Sequence, residues 1–478
     1  MDADLRDADK VSIDIFPDEI LLEVFDFWVE NEKGWVTLVH VCQRWRAIVF
    51  AAPSRLNLQL VCTYRTPVAK MSDIWPALPI DVRMWGKGNA DAVDANVLDA
   101  LKHRNRVGKI YADNASNGEL KDLAEAMQDT FPALTYLFIE SMPRTASSLP
   151  ESLLGGSAPN LRSLFLMNVA FPALPKLPLS VNHLVDLHLS FIPPFGVGSS
   201  EEMADCLSSL TRLKRLQMLF QSSQTHSARP DRARRRPHPL TLTHIVLPAL
   251  STLFFQGKAE YLDHVFAHID APLLKDVGIR FPIPPTFDVP RIVPFVGGTE
   301  TFESLNQAYM IFPSHHHFVD VLLSSRKVTA GDKMLRLTLS FEMDNLTWEL
   351  QGLTQICRPP GFEPLDLCNR GSSLSLWEER MESAPWMELV RFFTATEYMY
   401  LSHGLAVCAL PALQELIAEG MTGVLPGLRN LFVERLESLG RPSREAIDEF
   451  VAARRLLSSH AIDVQLWVRG ERVDSSGR

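Results

Sequence analysis

Two hydrophobic periodicities divide the chain. From Phe16 to Leu56 large apolar residues recur at helical spacing: Ile20, Leu21, Val24, Phe25 and Trp28 fall at i, i+1, i+4, i+5 and i+8, and Trp35, Leu38, Cys42, Trp45 and Val49 repeat the stripe in the next segment. The pattern predicts two consecutive amphipathic helices. Pro17 stands where a first-turn proline is tolerated, and Asp18 and Glu19 complement the positive end of the helix dipole, so the first helix starts there. Cys42, on the apolar side of the second, is expected to be a small buried hydrophobe and not a nucleophile.

Downstream the period shortens. Large apolar residues occupy positions one, four and six of a returning segment: Leu134-x-x-Leu137-x-Ile139, Leu161-x-x-Leu164-x-Leu166, Leu184-x-x-Leu187-x-Leu189, Leu213-x-x-Leu216-x-Met218, Leu250-x-x-Leu253-x-Phe255 and Leu274-x-x-Val277-x-Ile279. Met334-x-x-Leu337-x-Leu339, Leu413-x-x-Leu416-x-Ala418 and Leu428-x-x-Leu431-x-Val433 also fit, with a further strand expected around Met399 to Leu401. Successive first leucines of the first six are 27, 23, 29, 37 and 24 residues apart, mostly within the range of leucine-rich repeats. Positions four and six flank a residue that points the other way, as a strand requires, and each strand is too short to close a core alone. Stacked neighbours would supply that core, so the sheet should be parallel and the body a curved solenoid; a compact α/β domain with leucine-rich strands is the alternative. At the end, Ser443 is placed to cap a helix bearing Ile447, Phe450 and Val451, and Ile462, Val464, Leu466 and Val468 alternate as a strand that seals the stack.

The amino-terminal helices carry more apolar side chains than about forty residues bury in themselves. Each one left in water forgoes roughly 1.5–3 kcal/mol, so five would forfeit about 10 kcal/mol, comparable to a whole domain's stability. Either the rest of the chain covers these side chains or another protein does.

The run Phe16-Pro17-x-Glu19-Ile20-Leu21-x-x-Val24-Phe25, followed by Val39-His40-Val41-Cys42-Gln43-Arg44-Trp45-Arg46-Ala47-Ile48 and Pro53-x-x-Leu56, resembles the F-box in the form common among mushroom-forming fungi. Phe16 stands where leucine usually precedes the proline, and Asp26 to Val36 is not the common inter-helix sequence. The resemblance implies a helical module that docks on a Skp1-type adaptor and, through it, a cullin-RING ubiquitin ligase. Carried residue by residue, the adaptor surface would comprise Phe16, Pro17, Ile20, Leu21, Val24 and Phe25, with Val41, Cys42 and Trp45 beside them. The body resembles the leucine-rich region of fungal F-box proteins, including Arg65-Thr66-Pro67-Val68, Ile74-Trp75-Pro76-Ala77-Leu78-Pro79 and Phe450-Val451-Ala452-Ala453-Arg454 with Trp467.

The expected class is therefore α/β: an N-terminal all-α F-box followed by an irregular leucine-rich-repeat solenoid with a parallel sheet. The expected layout is a disordered stretch over 1–12, the F-box-like unit over 13–60 and a linker or solenoid cap over 61–110. Repeats then cover 111–440, with a flexible basic loop at 222–240, and the closing helix and strand cover 441–478. The implied role is substrate recognition for an SCF-type ubiquitin ligase, with an unidentified target protein on the repeats; a repeat scaffold outside any ligase is the alternative.

Composition narrows the remaining classes. With 47 basic against 57 acidic residues the net charge is −10, which argues against a general nucleic-acid surface. The opening MDADLRDADK has no apolar stretch behind it suited to a signal peptide or membrane span, so the expected location is cytoplasmic or nuclear, without a membrane partner. Six cysteines at 42, 62, 206, 357, 368 and 408 form no CxxC pair, indicating neither a disulfide scaffold nor a zinc ribbon. No GxSxG elbow, HExxH helix or Walker-type loop is present, and Gly86-Lys87-Gly88 is too short to cradle a phosphate, so no enzymatic activity and no cofactor are expected. His315-His316-His317 lacks the i, i+4 spacing of a helical metal site and reads as a polar turn. Pro230 to Pro239, rich in arginine, reads as a solvated insertion, with a nuclear-import or acidic-partner patch as the alternative.

Overall fold

A computed structural model describes residues 13–28, 34–68, 75–86, 93–142, 147–176, 183–193, 196–197, 199–221, 245–257, 265, 268–280, 307–312, 318–324, 336–342, 364–369, 397–401, 410–411, 413–415, 417–418, 425–434, 442–457 and 462–467. These form a mixed α/β protein with a large, mostly parallel sheet and several helices. The expected disordered stretch, the basic loop with Pro230 to Pro239, His315-His316-His317 and Cys357 lie outside the described residues. Two compact units separate: residues 1–169 with 177–180, and residues 170–176 with 181–478.

The first unit opens with helices α1 (Asp18–Trp28), α2 (Gly34–Val39) and α3 (Gln43–Ala51). Pro17 precedes α1, and its carbonyl accepts from the Ile20 and Leu21 amides, both at 3.1 Å, so the proline ends up outside the helix it introduces. The expected second helix is in fact two. Cys42 takes an extended conformation (φ −158°, ψ 171°), and its Sγ accepts from the Trp45 amide at 3.5 Å, capping α3. An N-cap must leave helical φ/ψ, and that break exposes Cys42, contrary to its expected burial.

Parallel strands follow in the order β1 (Leu60–Cys62), β2 (Ile80–Trp85), β3 (Val107–Ala115), β4 (Tyr136–Ser141) and β5 (Ser163–Met167). Helix α4 (Ala95–Leu101) joins β2 to β3, and α5 (Asn117–Ala126) joins β3 to β4. Asp94 caps α4, while Ser116 and Glu119 form a reciprocal capping box on α5. In β4 the buried Leu137 and Ile139 alternate with half-buried Tyr136 and Phe138, the alternation of a strand covered on one side. Gly86, expected only to be no phosphate loop, has a structural cause. Its amide donates to Asp113 O at 2.7 Å, and a Cβ there would lie 1.8 Å from the Asn114 carbonyl oxygen.

The second unit contains β6 (Asp186–Ile192), α6 (Ser200–Ser208), β7 (Arg215–Phe220), β8 (Thr252–Gln256), β9 (Asp276–Arg280), β10 (Gln307–Phe312), β11 (Phe318–Ser324), β12 (Arg336–Glu342), β13 (Pro364–Asn369), β14 (Tyr398–Leu401), β15 (Asn430–Glu434), α7 (Pro442–Leu457) and β16 (Asp463–Trp467). The sheet order is β6-β7-β8-β9-β12-β11-β10-β13-β14-β15-β16. Position four of each early repeat faces position four of the next: Leu187 pairs with Leu216, Leu216 with Leu253, and Leu253 with Val277. The carbonyl at position two accepts two amides from the following repeat, as Val185 does from Lys214 and Arg215 and Lys214 does from Ser251 and Thr252. In all six repeats between Leu134 and Ile279, positions one, four and six are buried.

Three expectations are corrected in this unit. Strand β11 runs antiparallel to both β10 and β12, so the sheet is not wholly parallel. Only five residues separate β10 from β11, whereas a parallel neighbour needs a crossover of roughly a dozen or more. Leu413-x-x-Leu416-x-Ala418 is not a strand: residues 410–411, 413–415 and 417–418 are helical. Leu410, Leu413 and Ile417 are buried at i, i+3 and i+7, and L-x-x-L satisfies a helix as well as this repeat. Ser443 lies within α7, which starts at Pro442, while Ile447 and Phe450 are buried as the closing helix requires.

Candidate functional site

The apolar arc of α1 is wider than its neighbours cover. At 100° per residue, Phe27, Ile20, Val24, Trp28, Leu21, Phe25 and Leu22 follow one another around more than half the helix. Leu21 and Phe25 point inward, 2% and 1% exposed, and the Phe25 ring meets Trp45 of α3 at 4.7 Å. Ile20 and Val24, one turn apart on the same helix, are 47% and 55% exposed. Phe27 and Trp28 continue that stripe, Phe16 lies before it, and Val41 is exposed between α2 and α3.

Of thirteen exposed large hydrophobic residues among the described ones, eight lie between Ile13 and Val41, a concentration that single scattered surface residues do not produce. The nine residues singled out from the sequence therefore divide. Phe16, Pro17, Ile20, Val24, Val41 and Cys42 are exposed, Trp45 is half-buried, and Leu21 and Phe25 form the interior that supports the others.

Two features escaped the sequence reading. Arg44 donates from Nη2 to the Phe16 carbonyl at 2.6 Å and to Asp18 Oδ1 at 2.6 Å, with Nε adding 2.9 Å to the same carboxylate oxygen. This clamp joins the first turn of α3 to the entry of α1 and orients the backbone of Phe16; as a half-exposed ion pair it adds little stability. Trp75 packs against Trp35 at 5.5 Å, His40 at 5.6 Å and Phe50 at 6.0 Å. It thus covers the opposite side of α2 and α3 with residues of this chain, leaving the α1 stripe uncovered among the described residues. Arg44 lies in a segment that carries the F-box resemblance and Trp75 in one that carries the resemblance of the body, but spacing alone gave neither a role.

Among the described residues no group of three or more His, Cys, Asp or Glu side chains could hold a metal ion, and no helix is long and apolar enough to cross a membrane. The buried thiols are displaced from reactivity: desolvation pushes Cys62 up to about 11, and burial does the same for Cys206, also to about 11. No family model matches the chain, and no curated protein matches it in sequence.

Proposed function

We propose that this chain is a substrate receptor of an SCF-type ubiquitin ligase, in which an F-box formed by α1 to α3 binds a Skp1-type adaptor and a leucine-rich-repeat solenoid holds a target protein. The observation that carries this reading is the uncovered stripe of Phe16, Ile20, Val24, Phe27 and Trp28, on a helical unit whose residue order resembles the F-box. Burial of such side chains drives association, and a central apolar cluster supplies most of an interface's energy. The repeats support the second half of the reading: their apolar positions are consumed inside the stack, so the alternating outward residues remain available to another molecule.

The mechanism requires no catalytic group here. One region grips the adaptor and another the target, and the ligase's ubiquitin-carrying enzyme meets a lysine held at high effective concentration. The place of action is cytoplasmic or nuclear. Co-expression with a Skp1-type adaptor tests the reading: a complex surviving size exclusion supports it, and wild-type protein that never retains the adaptor overturns it. Retention combined with an unchanged half-life of bound partners would instead favour a scaffold without ligase function.

A further inference from the structure

The residues ahead of α1 form a single 3-10 turn, Ile13–Ile15, closed by the Phe16 amide donating to the Ile13 carbonyl at 3.3 Å. Side chains three apart in such a turn stand one above the other, which places Ile13 and Phe16 on one side of it. Ile13, Ile15 and Phe16 are 48%, 69% and 41% exposed, so the turn carries apolar surface up to the start of α1. One turn closed by one hydrogen bond is unfavourable by itself, because several dihedrals are fixed for a single bond.

Support for the turn comes from α3. Arg44 Nη2 donates to the Phe16 carbonyl and to Asp18 Oδ1, and Nε donates to the same carboxylate oxygen. The two side chains are 34% and 61% exposed, where an ion pair adds little to the stability of a fold. Helix α1 has other anchors: Glu23 Oε1 pairs with Arg55 Nη2 at 2.5 Å, and Leu21 and Phe25 are buried on its inner side. The Phe16 carbonyl, by contrast, belongs to the short turn, and holding it sets the direction in which the chain enters the helix.

We infer that Arg44 is a positioning residue for adaptor binding: it presets the Ile13–Phe16 turn so that Ile13 and Ile15 join Phe16, Ile20 and Val24 in the surface that a Skp1-type adaptor covers. The occupant is the adaptor because the turn runs into the α1 stripe without a break, and one guanidinium holds the end of the turn and the first residue of the helix together. A turn already set needs no ordering when the partner arrives, and association is stronger by that saving. This inference rests on the ligase reading and deepens it, adding two contact residues that the F-box resemblance does not assign and one residue that acts through them.

Titration calorimetry with a purified Skp1-type adaptor tests it on the full chain, on Arg44→Met, which keeps an aliphatic stem and removes the donors, on Ile15→Ala and on the two combined. Arg44→Met should bind roughly tenfold more weakly, the cost of fixing about one residue's backbone on association, with an unchanged melting temperature. Ile15→Ala should weaken binding severalfold in the otherwise native chain and less than twofold beside Arg44→Met, because a released turn no longer presents Ile15. Hydrogen exchange of the free chain should quicken over residues 13–17 in Arg44→Met and stay unchanged over the rest of α1. Additive losses, an Arg44→Met affinity within twofold of wild type, unchanged exchange in the turn, or a melting temperature lowered as far as by Leu21→Ala overturns the inference and leaves the ligase reading standing. Wild-type chain that never binds the adaptor overturns both.

Discussion

Ile20 and Val24 differ from Leu21 only in which side of α1 they occupy, and that difference sets up a quantitative contrast. With 47% and 55% of their surface still in water, a partner covering them recovers about half of the roughly 1.5–3 kcal/mol that full burial of each supplies. The pair then contributes about 1.5–3 kcal/mol to association, or roughly 10- to 100-fold in Kd at 1.4 kcal/mol per decade. Replacing both by alanine should weaken binding of a Skp1-type adaptor by that factor and leave the thermal transition nearly unchanged, because neither side chain fills the interior. Leu21→Ala removes a side chain that is 2% exposed and should cost about 2–5 kcal/mol of stability, a large share of the roughly 5–15 kcal/mol available to a domain. Isothermal titration of the adaptor and differential scanning calorimetry of each variant separate the two effects. A double variant that binds within twofold of wild type, or that melts as early as Leu21→Ala, would refute the assignment of this stripe to an interface.

Three other outcomes are expected. Gly86→Ala should destabilise more than Gly278→Ala in urea titrations, because the added Cβ meets a backbone oxygen at 1.8 Å in the first case and the Phe254 ring, which has rotameric freedom, at 2.3 Å in the second. Mass spectrometry after brief maleimide treatment should find Cys42 labelled well before Cys62 and Cys206, and bound adaptor should protect it; equal labelling of all three contradicts the burial assigned to the latter two. Burial depresses the His188 pKa below its ordinary 6.5, against the opposing charge of Asp186, so the folded state binds fewer protons than the unfolded one. That contribution to stability is complete above pH 6.5 and is lost as pH falls through the depressed value; His188→Gln should flatten this part of the stability profile.

Most strands of the sheet were legible because their signal is local and redundant. Leu137 and Ile139, or Leu216 and Met218, report strand alternation without knowledge of their neighbours, and the same spacing returning six times implies a shared stacking arrangement. The pattern misled where local spacing serves two structures. Leu413-x-x-Leu416 fits strand and helix alike, and only the packing of Leu410, Leu413 and Ile417 chose the helix. Cys42 fits an apolar helical stripe, yet its thiol caps α3 because the chain must turn there.

The sequence by itself determined the helical unit, its apolar surplus, most strands and the absence of familiar catalytic motifs, since periodicity and residue chemistry are properties of short segments. Tertiary structure decided which half of the α1 arc is spent on Trp45 and which half stays in water. It also decided that β11 reverses. Those outcomes depend on contacts between residues distant along the chain, and the direction of a Cβ relative to a distant neighbour is fixed only when the elements pack.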